Sequence, residues 1–127
     1  MTEPASHRSA VRRAFPAPGP DGPLEGVALL TLDRPDQRNP LSVEMMRAVT
    51  AALAGAGADD SVRVVVLKGA GRVFSSGHNL REMLGRELDE QRLIFDVCTE
   101  MMQTLQRIPQ PVVAQVHGVA AAAGCQL

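Results

Sequence analysis

Phe74-Ser75-Ser76-Gly77-His78-Asn79-Leu80-Arg81-Glu82-Met83 is the stretch on which the fold turns. An apolar run, Val62 to Leu67, precedes it across the small-residue turn Lys68-Gly69-Ala70-Gly71. After Gly77 the sequence predicts a helix ending near Gly85, with Asn79 as its cap and Glu82 three residues on. A strand-to-helix turn of this kind leaves backbone N–H groups unpaired at the positive end of a helix. Such groups suit a developing negative charge.

Working outward, Val62 to Leu67 is almost entirely β-branched and is expected to be a strand buried on both faces. Before it, Val27 to Leu32 predicts another strand, and Asp33 to Pro40, with two prolines, a loop. Ser42 is placed to cap a helix running to about Ala54, with Val43, Met46, Val49 and Leu53 on one face. Gly55 and Gly57 end it. Met1 to Pro23 is rich in Pro, Gly, Ala and Arg and is expected to be a disordered leader, 1–23, before a domain over 24–127. Its basic residues also have the cast of a transit peptide.

On the other side, Leu93, Ile94, Val97, Cys98, Met101, Met102 and Leu105 recur at helical spacing over Asp89 to Arg107, a core-facing stripe. Pro109 and Pro111 stop that helix, and Val112 to Val116 predicts a third strand. It leads into His117-Gly118-Val119-Ala120-Ala121-Ala122-Ala123-Gly124-Cys125-Gln126-Leu127, a second strand-to-helix turn of small residues. The order strand, helix, strand, helix, strand, helix start means an α/β domain with parallel strands and right-handed crossovers. Ligands of such sheets gather at the carboxyl ends of the strands, where both small-residue turns lie. The last residues look like the first turn of a helix, so the chain is expected to be the front part of a longer protein.

Composition narrows the function classes. A net charge of −1 gives no electrostatic case for nucleic acid or an anionic membrane. Three Phe with no Tyr or Trp leave almost nothing for base stacking. Cys98 and Cys125 match no metal spacing and are expected to be buried free thiols. There is no run of transmembrane length and no secretory signal, so a cytoplasmic protein is expected, or one of the mitochondrial matrix in a eukaryote. No metal, nucleic acid or membrane partner is expected.

Two turns that each offer an N–H can polarise one carbonyl oxygen, as an oxyanion hole does for a thioester or ester. Equally, small residues can serve only to pack a helix closely on a strand. His78 and His117 each read as a cap or a packing group as readily as an acid or base. Ser75 and Ser76 lack the Gly-x-Ser-x-Gly frame of a nucleophile elbow. Glu82 and Glu87 read as a solvated helix face. Gln126 cannot act as acid or base, because an amide does not titrate; it can hold a water or a carbonyl.

Together these residues resemble the crotonase superfamily, the enoyl-CoA hydratase/isomerase family. The resemblance rests on Leu32-Asp33-Arg34-Pro35-Asp36-Gln37-Arg38-Asn39-Pro40-Leu41-Ser42; on Val64 to Leu67 with Gly69 and Phe74 to Leu80; on Ile108-Pro109-Gln110-Pro111-Val112-Val113-Ala114; and on His117-Gly118 with Gly124 to Leu127. It covers roughly 25–127. Ser-Ser-Gly-His paired with Ala-Ala-Gly-Cys-Gln is most similar to the subfamily of enoyl-CoA hydratase domain-containing protein three. The resemblance implies a spiral of β-β-α repeats, an acyl-CoA substrate that brings its own coenzyme A and no separate cofactor, and a homotrimer or a hexamer built as a dimer of trimers. It places the oxyanion-hole donors on the backbone N–H groups of His78 and Ala123. It places the coenzyme A nucleotide near Arg38 and the backbone of Ser76, Gly77, His78 and Asn79. The departure is Gln126, which stands where the family's hydratases carry Glu, and Ala121 to Ala123 replace glycines common in the family. A non-catalytic homologue binding coenzyme A or a protein partner, and a fragment assembling through an open sheet edge, remain open beside the catalytic reading.

Overall fold

A computed structural model describes residues 8–127. Its main sheet has four strands in the order β1 (Val11–Ala14), β4 (Val27–Leu32), β6 (Val64–Gly69), β8 (Val112–Gln115). β4, β6 and β8 run parallel, and β1 is antiparallel to β4. Between them come α1 (Val43–Gly57), the single turn α2 (Leu80–Met83), α3 (Leu88–Arg107) and a last turn, α4 (Ala123–Gln126). A second, smaller layer pairs β5 (Pro40–Leu41) with β7 (Gly77–His78) in parallel, and a lone parallel bridge joins Ser75 to Ala120. Each long strand is thus followed by a short one and then a helix, the β-β-α repeat expected from the resemblance.

Local chemistry explains the helix ends. The Ser42 hydroxyl accepts the Met45 N–H at 3.0 Å and starts α1. Asn79 starts α2 by accepting the Arg81 N–H at 3.1 Å. Glu82 does not close a capping box there and does not face open water. Its carboxylate accepts the Val43 N–H at 3.1 Å, an orphan donor of α1 rather than of its own turn.

The core lies between the sheet and α1. Ala28, Leu30, Leu32, Val65 and Leu67 face Met45, Met46, Val49 and Leu53, all fully buried, with Ile94 and Met101 of α3 closing one side. Burial of each large side chain contributes about 1.5–3 kcal/mol. The β6 run is covered on one face only: Val65, Leu67 and Gly69 are buried, while Val64, Val66 and Lys68 are half-buried. A valine run looks alike from both faces, so its sequence could not tell one-sided from two-sided burial.

The expected leader is corrected. Its first residues, 1–7, lie outside the described residues, but 11–24 form strands. β1 pairs Val11 to Leu32 through Ala14 to Leu29, and Ala10 and Val11 are buried. Arg12 meets Asp33 at 3.0 Å and Arg13 meets Asp59 at 3.4 Å, so two of the arginines that gave this segment its basic cast sit in surface ion pairs. Ala17–Gly19 (β2) and Gly22–Leu24 (β3) make a hairpin around Pro20-Asp21. Pairing of β1 with β4 and of β2 with β3, not any periodicity of their own, orders these residues.

Candidate functional site

The two small-residue turns meet. Ser75 carbonyl accepts the Ala121 N–H at 3.0 Å, and Phe74 N–H donates to the Val119 carbonyl at 3.0 Å. Gly77 sits at the seam with φ +91, a backbone state that favours glycine. A Cβ placed on it would lie 2.9 Å from the Ala121 carbonyl oxygen and 3.5 Å from the Ala123 nitrogen. His78, the next residue, pairs in register with Leu41.

Ala123 opens α4. The N–H groups of Gly124, Cys125 and Gln126 turn back to the carbonyls of Ala121 and Ala122 at 2.8–3.2 Å. The N–H of Ala123 has no hydrogen-bond acceptor among the described residues. The turn is bent by Ala122, at φ 50 and ψ −122. A residue with a Cβ is strained there by about 1–3 kcal/mol. Ala122→Gly is therefore expected to stabilise the fold by about 1 kcal/mol, the relief of strain exceeding the added chain entropy of glycine. Thermal unfolding of the two forms checks this; an unchanged or lower midpoint would show the bend to be unstrained.

The first turn is held from below by Asn39, which is fully buried at φ 49. Its Oδ1 accepts the Arg34 N–H at 2.8 Å. Its Nδ2 donates to the carbonyls of Ala70, Val73 and Phe74 at 2.9, 3.1 and 3.2 Å. Its own carbonyl accepts the Ser75 hydroxyl at 2.8 Å, and that hydroxyl in turn accepts the Gly77 N–H at 3.2 Å. Ser75 is thus a buried positioning group rather than a nucleophile.

A cavity opens on each side of the seam. One, about 480 Å³, is lined by His78 and Gln126 with Phe95, Cys98 and Met102 of α3 among its walls. The other, about 460 Å³, is lined by Arg38, Arg72 and Ser76 with Val119 and Ala121. The sequence-predicted residues therefore divide. His78 and Gln126 share the first cavity, Arg38 and Ser76 share the second, and Gly77 and Ala123 form the seam. Asn79 serves as the α2 cap. His78 is half-buried, not a surface cap: its ring stands edge-on to Phe95 at 5.6 Å, and its Nδ1 is buried without a partner among the described residues. His117 lies apart, its Nε2 2.6 Å from the Gly71 carbonyl oxygen.

The expectation of two buried thiols holds for neither cysteine in full. Cys125 is exposed, because α4 turns it away from the strand it follows. Cys98 is half-buried on the cavity wall, and loss of hydration pushes its thiol above the ordinary range. Among the described residues no group of His, Cys, Asp or Glu is placed to hold a metal, and no helix is long and apolar enough to cross a membrane.

Sequence reasoning missed Asn39 and Arg72. The Asn39-Pro40 dipeptide signals a turn, and that signal was available. Nothing in the sequence distinguishes Arg72 from a solvated arginine; only the fold sets it beside Arg38.

Comparison with known proteins agrees with this architecture. Residues 23–127 match the family profile described as enoyl-CoA hydratase/isomerase. Enoyl-CoA hydratase domain-containing protein 3, mitochondrial, of Xenopus laevis is 38% identical over 103 residues, 80% of this chain and 35% of that protein. The crystal structure of an enoyl-CoA hydratase from Mycobacterium smegmatis superposes with a TM-score of 0.82 at 39% identity, covering 94% of this chain and 44% of that one. The crystal structure of human enoyl-CoA hydratase domain-containing protein 3 gives a TM-score of 0.83 at 30% identity over 93% and 44%. The chain spans less than half the length of each of these relatives.

Proposed function

We propose that this chain, which belongs to the enoyl-CoA hydratase/isomerase family and has the crotonase fold, binds an acyl-CoA thioester across the Gly77 seam and stabilises its enolate. The observation that carries the reading is the seam itself: the unpaired Ala123 N–H lies beside the His78 turn, with one cavity on each side. The thioester oxygen would sit between the N–H groups of His78 and Ala123. As a proton leaves the carbon next to the thioester, charge builds on that oxygen. Fixed donors are stronger there than water because they need no reorganisation. Arg38 and Arg72 suit the phosphates of the coenzyme A nucleotide on the far side. The acyl group would enter the cavity of His78 and Gln126, where the Gln126 amide can hold a water or carbonyl but cannot move a proton. Assembly as a trimer or a dimer of trimers, in the cytoplasm or a mitochondrial matrix, belongs to the same reading.

Ala123→Pro tests it. Proline is tolerated at the first position of a helix, and Ala122 already lies outside the α region that a following proline disfavours. The change therefore removes the donor and little else. Turnover of acyl-CoA substrates by the full-length protein should fall about 100-fold, with coenzyme A binding retained. Full turnover of every substrate by the variant would show that Ala123 is not a donor.

Gln126 favours a second reading, a homologue that binds acyl-CoA without hydrating it. Hydration needs a carboxylate to activate water. Gln126→Glu in the full-length protein should raise enoyl-CoA hydration at least about tenfold if only that carboxylate is missing. The spectrophotometric loss of the conjugated enoyl thioester reads it directly.

A further inference from the structure

Arg72 reaches the second cavity from a turn whose middle is glycine. The turn leaves β6 at Gly69, and Gly71 takes φ +82 just before Arg72. Gly71 has no Cβ to limit its backbone, so the peptide that joins it to Arg72 needs an anchor from outside. Asn39 supplies the anchors around it, on the carbonyls of Ala70, Val73 and Phe74. The Gly71 carbonyl goes elsewhere. It accepts from His117 Nε2 at 2.6 Å and from no other group among the described residues. Beside His117, Gly118 at φ +61 passes so close that a Cβ on it would overlap the Arg72 carbonyl oxygen. Pro35 closes the opposite side: a Cβ on Gly71 would lie 2.7 Å from its ring. The peptide between Gly71 and Arg72 is therefore set by the segment that follows β8.

His117 lines neither cavity, and it meets only the residue before Arg72. A guanidinium whose backbone is already fixed meets a phosphate without first losing that freedom. We infer that His117 is a positioning residue for the coenzyme A nucleotide: through the Gly71 carbonyl it holds Arg72 at the cavity shared with Arg38. The inference rests on the acyl-CoA reading given above and adds to it a residue away from both the thioester and the phosphates. If His117 only tied the end of β8 to β6, its loss would loosen both turns and weaken every part of the ligand alike.

The test uses the full-length protein and two thioesters, hexanoyl-CoA and S-hexanoylpantetheine, which lacks the nucleotide. The ratio of their dissociation constants is the advantage that the nucleotide brings. His117→Phe keeps a ring and removes the donor; it should cut this advantage about tenfold, the worth of one charge-assisted contact, and leave hexanoylpantetheine binding unchanged. His117→Gln carries an amide N–H of similar reach and should restore the advantage. In an Arg72→Gln background, His117→Phe should have no further effect, because the two residues act as one unit. His117 is exposed, so its variants should keep the thermal midpoint. An equal loss for both thioesters, additive losses in the double variant, or a full advantage in His117→Phe would each overturn the inference and leave the acyl-CoA reading standing. Equal binding of the two thioesters by the unmodified protein would remove the phosphate placement at Arg38 and Arg72 and the inference with it. Binding of neither would remove the acyl-CoA reading as well.

Discussion

Asn39→Leu is expected to destabilise the fold by about 5 kcal/mol or more and, on the proposed reading, to abolish acyl-CoA turnover by the full-length protein. The two side chains are similar in size, so the effect does not come from a cavity. It comes from orphaned polar groups. The Arg34 N–H and the carbonyls of Ala70, Val73 and Phe74 all bond the Asn39 amide. Each buried group left without a partner costs about 1–3 kcal/mol, with carbonyls at the low end because they accept in two directions. Leucine at the φ of 49 adds about 1–2 kcal/mol, a strain that asparagine bears more easily. Asn39→Asp does not rescue: it keeps the acceptor for Arg34 but turns a carboxylate oxygen on three carbonyls. The functional loss has a separate cause. The Asn39 carbonyl fixes Ser75 Oγ, which fixes the Gly77 N–H, and Gly77 carries His78. Denaturant unfolding gives the stability and a turnover assay the activity. A loss under about 1 kcal/mol would mean that water replaces the amide and that the loop is not held by it.

Much of this arrangement could be read along the chain because the strands and helices carry strong local signals. Val27–Leu32 is apolar, the β6 run is apolar and rich in valine, Ser42 sits one residue before α1, and the α3 stripe keeps its period from Ile94 to Leu105, although Leu93, expected in it, is exposed. The common end of the two small-residue turns was legible too, since the carboxyl ends of parallel strands lie at one end of the sheet; their contact was not. What escaped depends on contacts between distant segments. Val11–Ala14 has no pattern of its own and becomes a strand only against Leu29 to Leu32. Glu82 looked like a partner for its own turn, yet the nearest orphan N–H in space belongs to Val43. Asn39 was read as loop because a turn signal fixes φ but says nothing of what a side chain will reach; three of its partners lie more than thirty residues away.

Gly124→Ala should remove activity by about 100-fold, although by helix propensity alone it would stabilise α4 by about 1 kcal/mol. The added methyl carbon would lie 2.6 Å from the Ser75 carbonyl oxygen, 2.8 Å from its Cβ and 2.9 Å from its Oγ. Heavy atoms pack at about 3.5–4.0 Å, so something has to move. Ser75 cannot yield cheaply. Its carbonyl holds the Ala121 N–H, its hydroxyl holds Asn39 and Gly77, and its backbone is bridged to Ala120. The turn bearing Ala123 must move instead, and overpacking of this kind costs about 1–3 kcal/mol. A displacement near an ångström is enough to spoil the two donors proposed to converge on the thioester oxygen. Gly57→Ala is the matched control. Its methyl would meet Ile108 Cγ2 at 2.7 Å and Ile108 Cβ at 3.1 Å, an equally short contact but one at the end of α1, away from both turns. That variant should lose about 1–3 kcal/mol of stability and keep full turnover. If both alanine variants kept full turnover, the two turns would not need their present distance, and the donors of the reaction would have to be sought elsewhere in the protein.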